Sequence, residues 1–241
     1  MSVLSFSFKG ILSDSKGVCV TRLPGGSVAP LRTTTIVVPG RDGALHVTEN
    51  ARDEQIMQVD CYLPYDQGGT VADLSDIAAW LQGSGRLILS GDTDHYRNAR
   101  INDAISFTHV VPGFNDLVFS IPFAVSPYKY SINDYAVAVP RDVPTLYSGR
   151  GNVEAYPLLK VQRGNGNPTT ITINGAVLTV NYSGYIIIDC EKKIAYNDTN
   201  QILTGYLSGT WPTLSWEQAG NTIMYSGGTI GVILEPRWRW L

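Results

Sequence analysis

The sequence predicts a mainly β protein in two parts, an N-terminal α+β domain built from a β-sheet with one amphipathic helix, then a β-sandwich. Three observations predict it. The strongest apolar runs alternate with period two, a single segment repeats at helical spacing, and beyond residue 126 short apolar runs are separated by Gly and Asn turns. The texture changes at Ser126-Pro127-Tyr128-Lys129-Tyr130, which sets the expected division near residue 132, with domains over 1–132 and 133–241. A chain of 241 residues can bury roughly 70 to 75% of its unfolded surface, so core size is no constraint.

Each element has a local reason. Residues 36–43 read IVVPGRDG, a β-branched run that stops at Pro39-Gly40 and presents Arg41 and Asp42 between two glycines. Pro39 cannot donate to a ladder, and Gly40 and Gly43 can take positive φ, so a strand ending in a sharp charged turn is expected. Met57, Val59, Cys61 and Leu63 alternate with polar residues as a half-buried strand, and Leu117, Phe119, Ile121, Phe123 and Val125 form another. Between them Leu74, Ile77, Ala78 and Leu81 recur at helical spacing. Thr70 and Asp73 are placed as a capping box and Gly83 as a stop, so one helix is expected over about 71–82, packed on the N-terminal sheet.

In the second part Gly164-Asn165-Gly166-Asn167-Pro168 reads as a turn, and Thr170-Ile171-Thr172-Ile173 runs into Asn174-Gly175, the favoured type I′ pair, and then into residues 177–180. Residues 184–189 turn through Glu191-Lys192-Lys193 into Ile194-Ala195-Tyr196, and Asn221-Thr222-Ile223 opens a strand pair ending near Leu234. At the end, Pro236-Arg237-Trp238-Arg239-Trp240-Leu241 alternates Arg with Trp. A terminal strand with both tryptophans on an apolar surface and the arginines on its other face is expected, against either the sandwich or the N-terminal domain.

Composition narrows the function. The formal net charge is -3 and charged residues make up 16%, below the roughly 25% of ordinary soluble domains, which suggests that neighbouring subunits cover part of the surface. No basic stripe is present to grip nucleic acid. The start, MSVLSFSFKG, has no charged n-region followed by an apolar stretch, and no window approaches about 20 apolar residues, so assembly in a cytoplasm without membrane insertion is expected. Cys19, Cys61 and Cys190 are far apart with no CxxC pair, and are expected as buried free thiols.

The search for catalytic chemistry returns little. His46, His95 and His109 have no second ligand at i+2 or i+4, and the acids of SGDTDHY, Asp92 and Asp94, lack the remainder of a calcium loop and are read as a hairpin turn. Ser13 to Lys16 spells SxxK without its companion motifs, and no nucleophile elbow, Walker loop or dinucleotide fingerprint occurs. No enzyme activity, metal or cofactor is expected. Tyr206, Trp211 and Trp216 could stack a sugar ring, or could serve core and rim packing.

Taken in order, several segments resemble one family, the distal tail proteins (Dit) of long, flexible-tailed bacteriophages. They are Val38-Pro39-Gly40-Arg41-Asp42-Gly43 after an N-terminal strand, the helix ending in Trp80-Leu81, and Phe123 through Ser126-Pro127-Tyr128. Gly151-Asn152 before Tyr156-Pro157, Ile187-Ile188-Asp189 with Ala195-Tyr196, Trp211-Pro212-Thr213-Leu214, Gly220-Asn221-Thr222-Ile223 and Pro236-Arg237-Trp238-Arg239 complete the pattern over essentially the whole chain. The resemblance implies a structural virion protein of the tail tip, a homo-hexameric ring formed by the N-terminal domain with galectin-like sandwiches around it. The ring would lie between the tail tube protein and the tail-tip or baseplate proteins, with a central channel for DNA. Residues 38–43 are then candidates for the subunit interface, Arg41 and Asp42 contacting a neighbour or locking their own turn. The loops between residues 150 and 235 are short, so no receptor-binding arm is expected. The rival reading is a carbohydrate-binding sandwich module using Tyr206, Trp211 and Trp216.

Overall fold

The computed structural model describes residues 4–26, 28–64, 71–109, 117–162, 164–217 and 219–241. Two compact units divide the chain, Met1–Lys129 together with Leu241, and Tyr130–Trp240. The first contains β1 (Phe6–Phe8), β2 (Ile11–Leu12), β3 (Cys19–Arg22), β4 (Leu31–Val37), β5 (Ala44–Arg52), β6 (Gln55–Leu63), α1 (Val71–Leu81), β7 (Ser84–Leu89), β8 (Asp92–Ile101), β9 (Thr108–His109) and β10 (Leu117–Val125). Its main sheet runs β2-β1-β7-β8-β10-β6-β3, and β4 and β5 form a separate two-stranded sheet.

The longest pairing is β6 with β10, in continuous register from Leu117 opposite Leu63 to Val125 opposite Gln55. Period two fixes this register, because Met57, Val59, Cys61 and Leu63 face the same core as Leu117, Phe119, Ile121, Phe123 and Val125, and a one-residue slip would expose them all. Helix α1 closes that core with Ile77, Trp80 and Leu81. Ala78 is exposed instead, and Trp80 takes its place in the buried stripe, stacked on Phe6 at 5.6 Å with Nε1 donating to the Phe8 carbonyl at 3.1 Å. The helix ends at Gly83, whose φ is 81°, and Lys9 Nζ donates to the Trp80 and Gln82 carbonyls, a cation at the negative end of the helix. Thr70 and the Asp73 side chain lie outside the described residues.

Next come β11 (Lys129–Ser131) and the strands of the second unit: β12 (Val137–Ala138), β13 (Thr145–Tyr147), β14 (Leu158–Val161), β15 (Gly164–Ile173), β16 (Ala176–Val180), β17 (Ile186–Asp189), β18 (Ile194–Tyr196), β19 (Leu207–Gly209), β20 (Asn221–Thr229), β21 (Val232–Glu235) and β22 (Arg239–Trp240). Two five-stranded sheets, β12-β21-β14-β17-β18 and β13-β20-β15-β16-β19, enclose one core that includes Leu159, Ile171, Ile188, Ile223 and Leu234. This is the sandwich the short strands predict. Asn174 and Gly175 have φ of 51° and 81°, as a type I′ turn requires, and join β15 to β16.

Three expectations need correction. The GNGNP segment is not a turn: it lies within β15, where the register against β20 shifts between Gly164 and Thr169. Pro168, unable to donate, sits in this irregular stretch, and a Cβ on Gly164 would stand 2.8 Å from the Gly228 carbonyl, so glycine admits the close approach. The C-terminus is not one alternating strand with both tryptophans on one face and the arginines on the other. Arg237 is left-handed at φ 53°, leaving Arg239–Trp240 as the strand, and Arg239 is buried, donating to the Glu154 carbonyl with its guanidinium 4.3 Å from the Tyr156 ring centre. Trp238 lies in the sandwich core, stacked on Tyr147 at 6.1 Å. Finally, Cys19 is half-exposed, whereas Cys61 and Cys190 are buried, burial first and neighbouring carboxylates second pushing both thiols up to about 12.

Candidate functional site

The segment 38–43 caps the β4–β5 hairpin, whose structure explains both why it forms and what it lacks. Thr33 stands opposite Thr48 and Thr35 opposite His46, with side chains 3.4 and 3.2 Å apart on one face, while Ile36, Leu45 and Val47 occupy the other. Every residue of β4 is exposed, and so are the apolar residues Ile36, Leu45 and Val47 and, at the tip, Val37 at 75% and Val38. The turn is held by its backbone: the Arg41 N–H donates to the Val38 carbonyl at 3.2 Å, and Gly40 and Gly43 have φ of 80° and 78°. Among the described residues neither Arg41 nor Asp42 has an ion-pair partner, so no side-chain lock within the turn accounts for them.

At its base the hairpin is pinned. Arg32 bridges Asp53 at 2.9 Å and Glu49 at 3.5 Å, and Arg52 donates to the Ala29 carbonyl. A two-stranded ribbon in water is marginal by itself, and a face of exposed apolar residues suits burial against another chain.

A cavity of about 280 Å³ opens in the first unit, and nothing in the sequence pattern announced it. Its floor is apolar, with Met57 and Leu87 buried and Leu23 and Leu89 half-buried; its rim carries Asp92, His95, Arg97 and Lys129. Asp92 and Asp94, read as the hairpin turn itself, instead lie in β8 just beyond the turn at Ser90-Gly91, and the Asp92 carboxylate receives Lys129 Nζ at 2.5 Å and lies 2.6 Å from His95 Nδ1. Partial burial alone would push that carboxyl up; the hydrogen bonds from Lys129 and His95, with their charge, bring it below its ordinary value. Arg97 is buried and donates to the Ser126 and Pro127 carbonyls at 3.1 and 3.0 Å, and burial, opposed by the Asp92 charge, lowers its pKa. Nothing in SGDTDHY alone shows that Lys129 returns to Asp92; the pairing is made by the sheet.

The other sequence candidates are not gathered into one site. Tyr206 packs on Tyr182 at 5.1 Å, Trp211 is half-buried against the sandwich core, and Trp216 is 47% exposed beside Trp240 and Arg150. His46 faces Thr35, the His109 side chain lies outside the described residues, and no group of three metal-ligating residues occurs among those described. Ser13 of the SxxK tetrad is buried, its Oγ accepting from the Phe6 N–H, a structural role. No described helix is long and apolar enough to cross a membrane.

No protein-family profile and no curated protein matches the chain in sequence. Among solved structures, that of the SPP1 Dit protein (gp19.1), presented as a paradigm of the hub adsorption apparatus in phages infecting Gram-positive bacteria, matches with a TM-score of 0.70. The match covers 100% of both chains at 15% identity. The chain has the Dit fold. The likeness to Dit spans both units, and segments that carried the resemblance have structural work in the second. A Cβ on Gly151 would stand 2.2 Å from the Arg239 carbonyl; Asp189, 1% exposed, accepts from the Glu191 and Lys192 N–H groups and from Arg237 at 3.0 Å. Asn221, fully buried, receives the Ser215 N–H at 2.6 Å and Asn174 Nδ2 at 2.7 Å. These residues hold turns and chain ends in place.

Proposed function

We propose that this protein is a structural hub of a bacteriophage tail tip, with no enzymatic activity. It assembles as a homo-hexameric ring through its N-terminal unit, between the tail tube and the tail-tip proteins, with a channel through which DNA passes. The full-length match to the Dit fold carries this reading. The unsupported β4–β5 hairpin and the weakly charged surface support it, since each protomer of a ring must bury two different patches. Residues 38–43 serve at the subunit interface, with Arg41 and Asp42 orienting the neighbour. The protein would reside in the virion after assembly in the host cytoplasm. Native mass spectrometry and negative-stain microscopy of the purified protein test the reading: six-fold rings with a central hole are expected, and a monodisperse monomer at every concentration overturns it.

A further inference from the structure

We propose that the cavity of the first unit binds a small organic carboxylate, its anionic head on the Arg97 guanidinium and its apolar body on the floor made by Met57 and Leu87. The inference stands apart from the ring reading, because every group it uses belongs to the first unit of one protomer. Arg97 is the anomaly that carries it. Period two along β8 puts Arg97 on the face that holds Ala99 in the core and Ile101 against it, while Asn98 and Arg100 are exposed between them. The arginine is only 7% exposed, at a position where the pattern calls for an apolar side chain. A cation taken out of water is costly unless an anion meets it, and among the described residues Arg97 has no ion-pair partner. The Ser126 and Pro127 carbonyls receive its Nη1, which fixes the side chain and leaves its charge unneutralised.

The rest of the guanidinium is available. Nε and Nη2 make no hydrogen bond among the described residues, and neither is among the buried polar atoms left without a partner, which places them at accessible surface. The space that Arg97 lines is the cavity. Together Nε and Nη2 form one edge of the guanidinium, the fork that takes a carboxylate through two parallel bonds. Asp92 does not fill that role, since its own carboxylate is taken up by Lys129 Nζ at 2.5 Å and His95 Nδ1 at 2.6 Å. One carboxylate thus stands against two cations, Lys129 and Arg97, and the wall keeps a positive excess even with His95 neutral. Below the charge lie Met57 and Leu87, both buried, with Leu23 and Leu89 half-buried beside them. The space, about 280 Å³, is near the lower end of small-molecule sites, which run from roughly 300 Å³ upward, and suits a short aliphatic or aromatic body.

Titrations of the full-length protein carrying ¹³C-methyl methionine test this. The chain has three methionines; Met57 is on the cavity floor and Met224 lies in β20 of the second unit. Octanoate is expected to shift the Met57 methyl resonance with a Kd below about 1 mM and to leave that of Met224 in place. Octan-1-ol, the same body without the charge, and acetate, the charge without the body, are each expected to bind at least about tenfold more weakly. Arg97→Met replaces the buried cation by an unbranched apolar side chain; octanoate is expected to lose at least about tenfold in affinity there, while octan-1-ol keeps its own. Octanoate that leaves Met57 unmoved, either control binding as tightly as octanoate, or folded Arg97→Met with unchanged octanoate affinity overturns the site. Should Arg97→Met fail to fold, octanoate against octan-1-ol on the unsubstituted protein decides. Ring formation is read separately by native mass, so failure here leaves the hub reading standing.

Discussion

Asp92 illustrates how much a single residue's chemistry depends on partners far along the chain. Its carboxylate is held below its ordinary value by Lys129 and His95 against the effect of burial. A depressed folded-state pKa contributes stability above the unfolded value, 3.8, which is lost as pH falls through the lower folded value. Asp92→Asn should therefore lower the melting temperature by about 1 to 3 °C at pH 7, as expected for one partly exposed ion pair in a chain of this size, with the difference fading below about pH 3.8. Thermal melts of both proteins between pH 7 and 2.5 check this; a constant difference across the range would refute it. That a hairpin turn stands beside Asp92 was readable from SGDTDHY. Its ion pair was not, because Lys129 opens β11, 37 residues further along the chain, and meets β8 only in the folded sheet.

Elements were legible where a single local signal dominated. Asn174-Gly175 prescribes its turn from two adjacent residues, and the turn forms as prescribed. Gly175→Ala places a Cβ in open space but in the left-handed region, φ 81°, so strain alone should cost about 1 kcal/mol and roughly 2 to 4 °C in melting temperature. Gly205→Ala, with open space and no positive φ, should change the melt little by the same circular dichroism measurement. GNGNP misled for a physical reason: glycine, asparagine and proline favour turns, yet here Gly164 admits a close strand and the proline sits at a register shift, choices settled by β20 across the sheet. The Arg-Trp alternation at the C-terminus failed similarly, since one left-handed residue, Arg237, shifts the phase and buries Arg239. IVVPGRDG announced its turn; that β4 and β5 would pair only with each other among the described residues was not written in their own residues.

Over the whole molecule, two hydrophobic cores stand as separate clusters, one around Phe6, Phe8 and Phe123, the other around Leu159, Ile171 and Trp238. Trp238→Ala should destabilise the Tyr130–Trp240 unit by about 3 to 5 kcal/mol, the cost of emptying a large buried site. Peptide-resolved hydrogen exchange should find protection lost in β14 and β17 and retained in β6 and β10; equal loss in both units would contradict two separate cores. The sequence by itself determined the strand-rich class, the solitary helix, the change of texture near residue 130 and the charged turn at Arg41-Asp42, because period, propensity and turn chemistry act over a few residues. Only the tertiary structure decided that the hairpin's apolar residues are exposed, that Asp92, Arg97 and Lys129 line one cavity, and that Arg239 is interior. Burial and ion pairing depend on groups brought together across the sheet, and such distances are not encoded in any window of neighbouring residues.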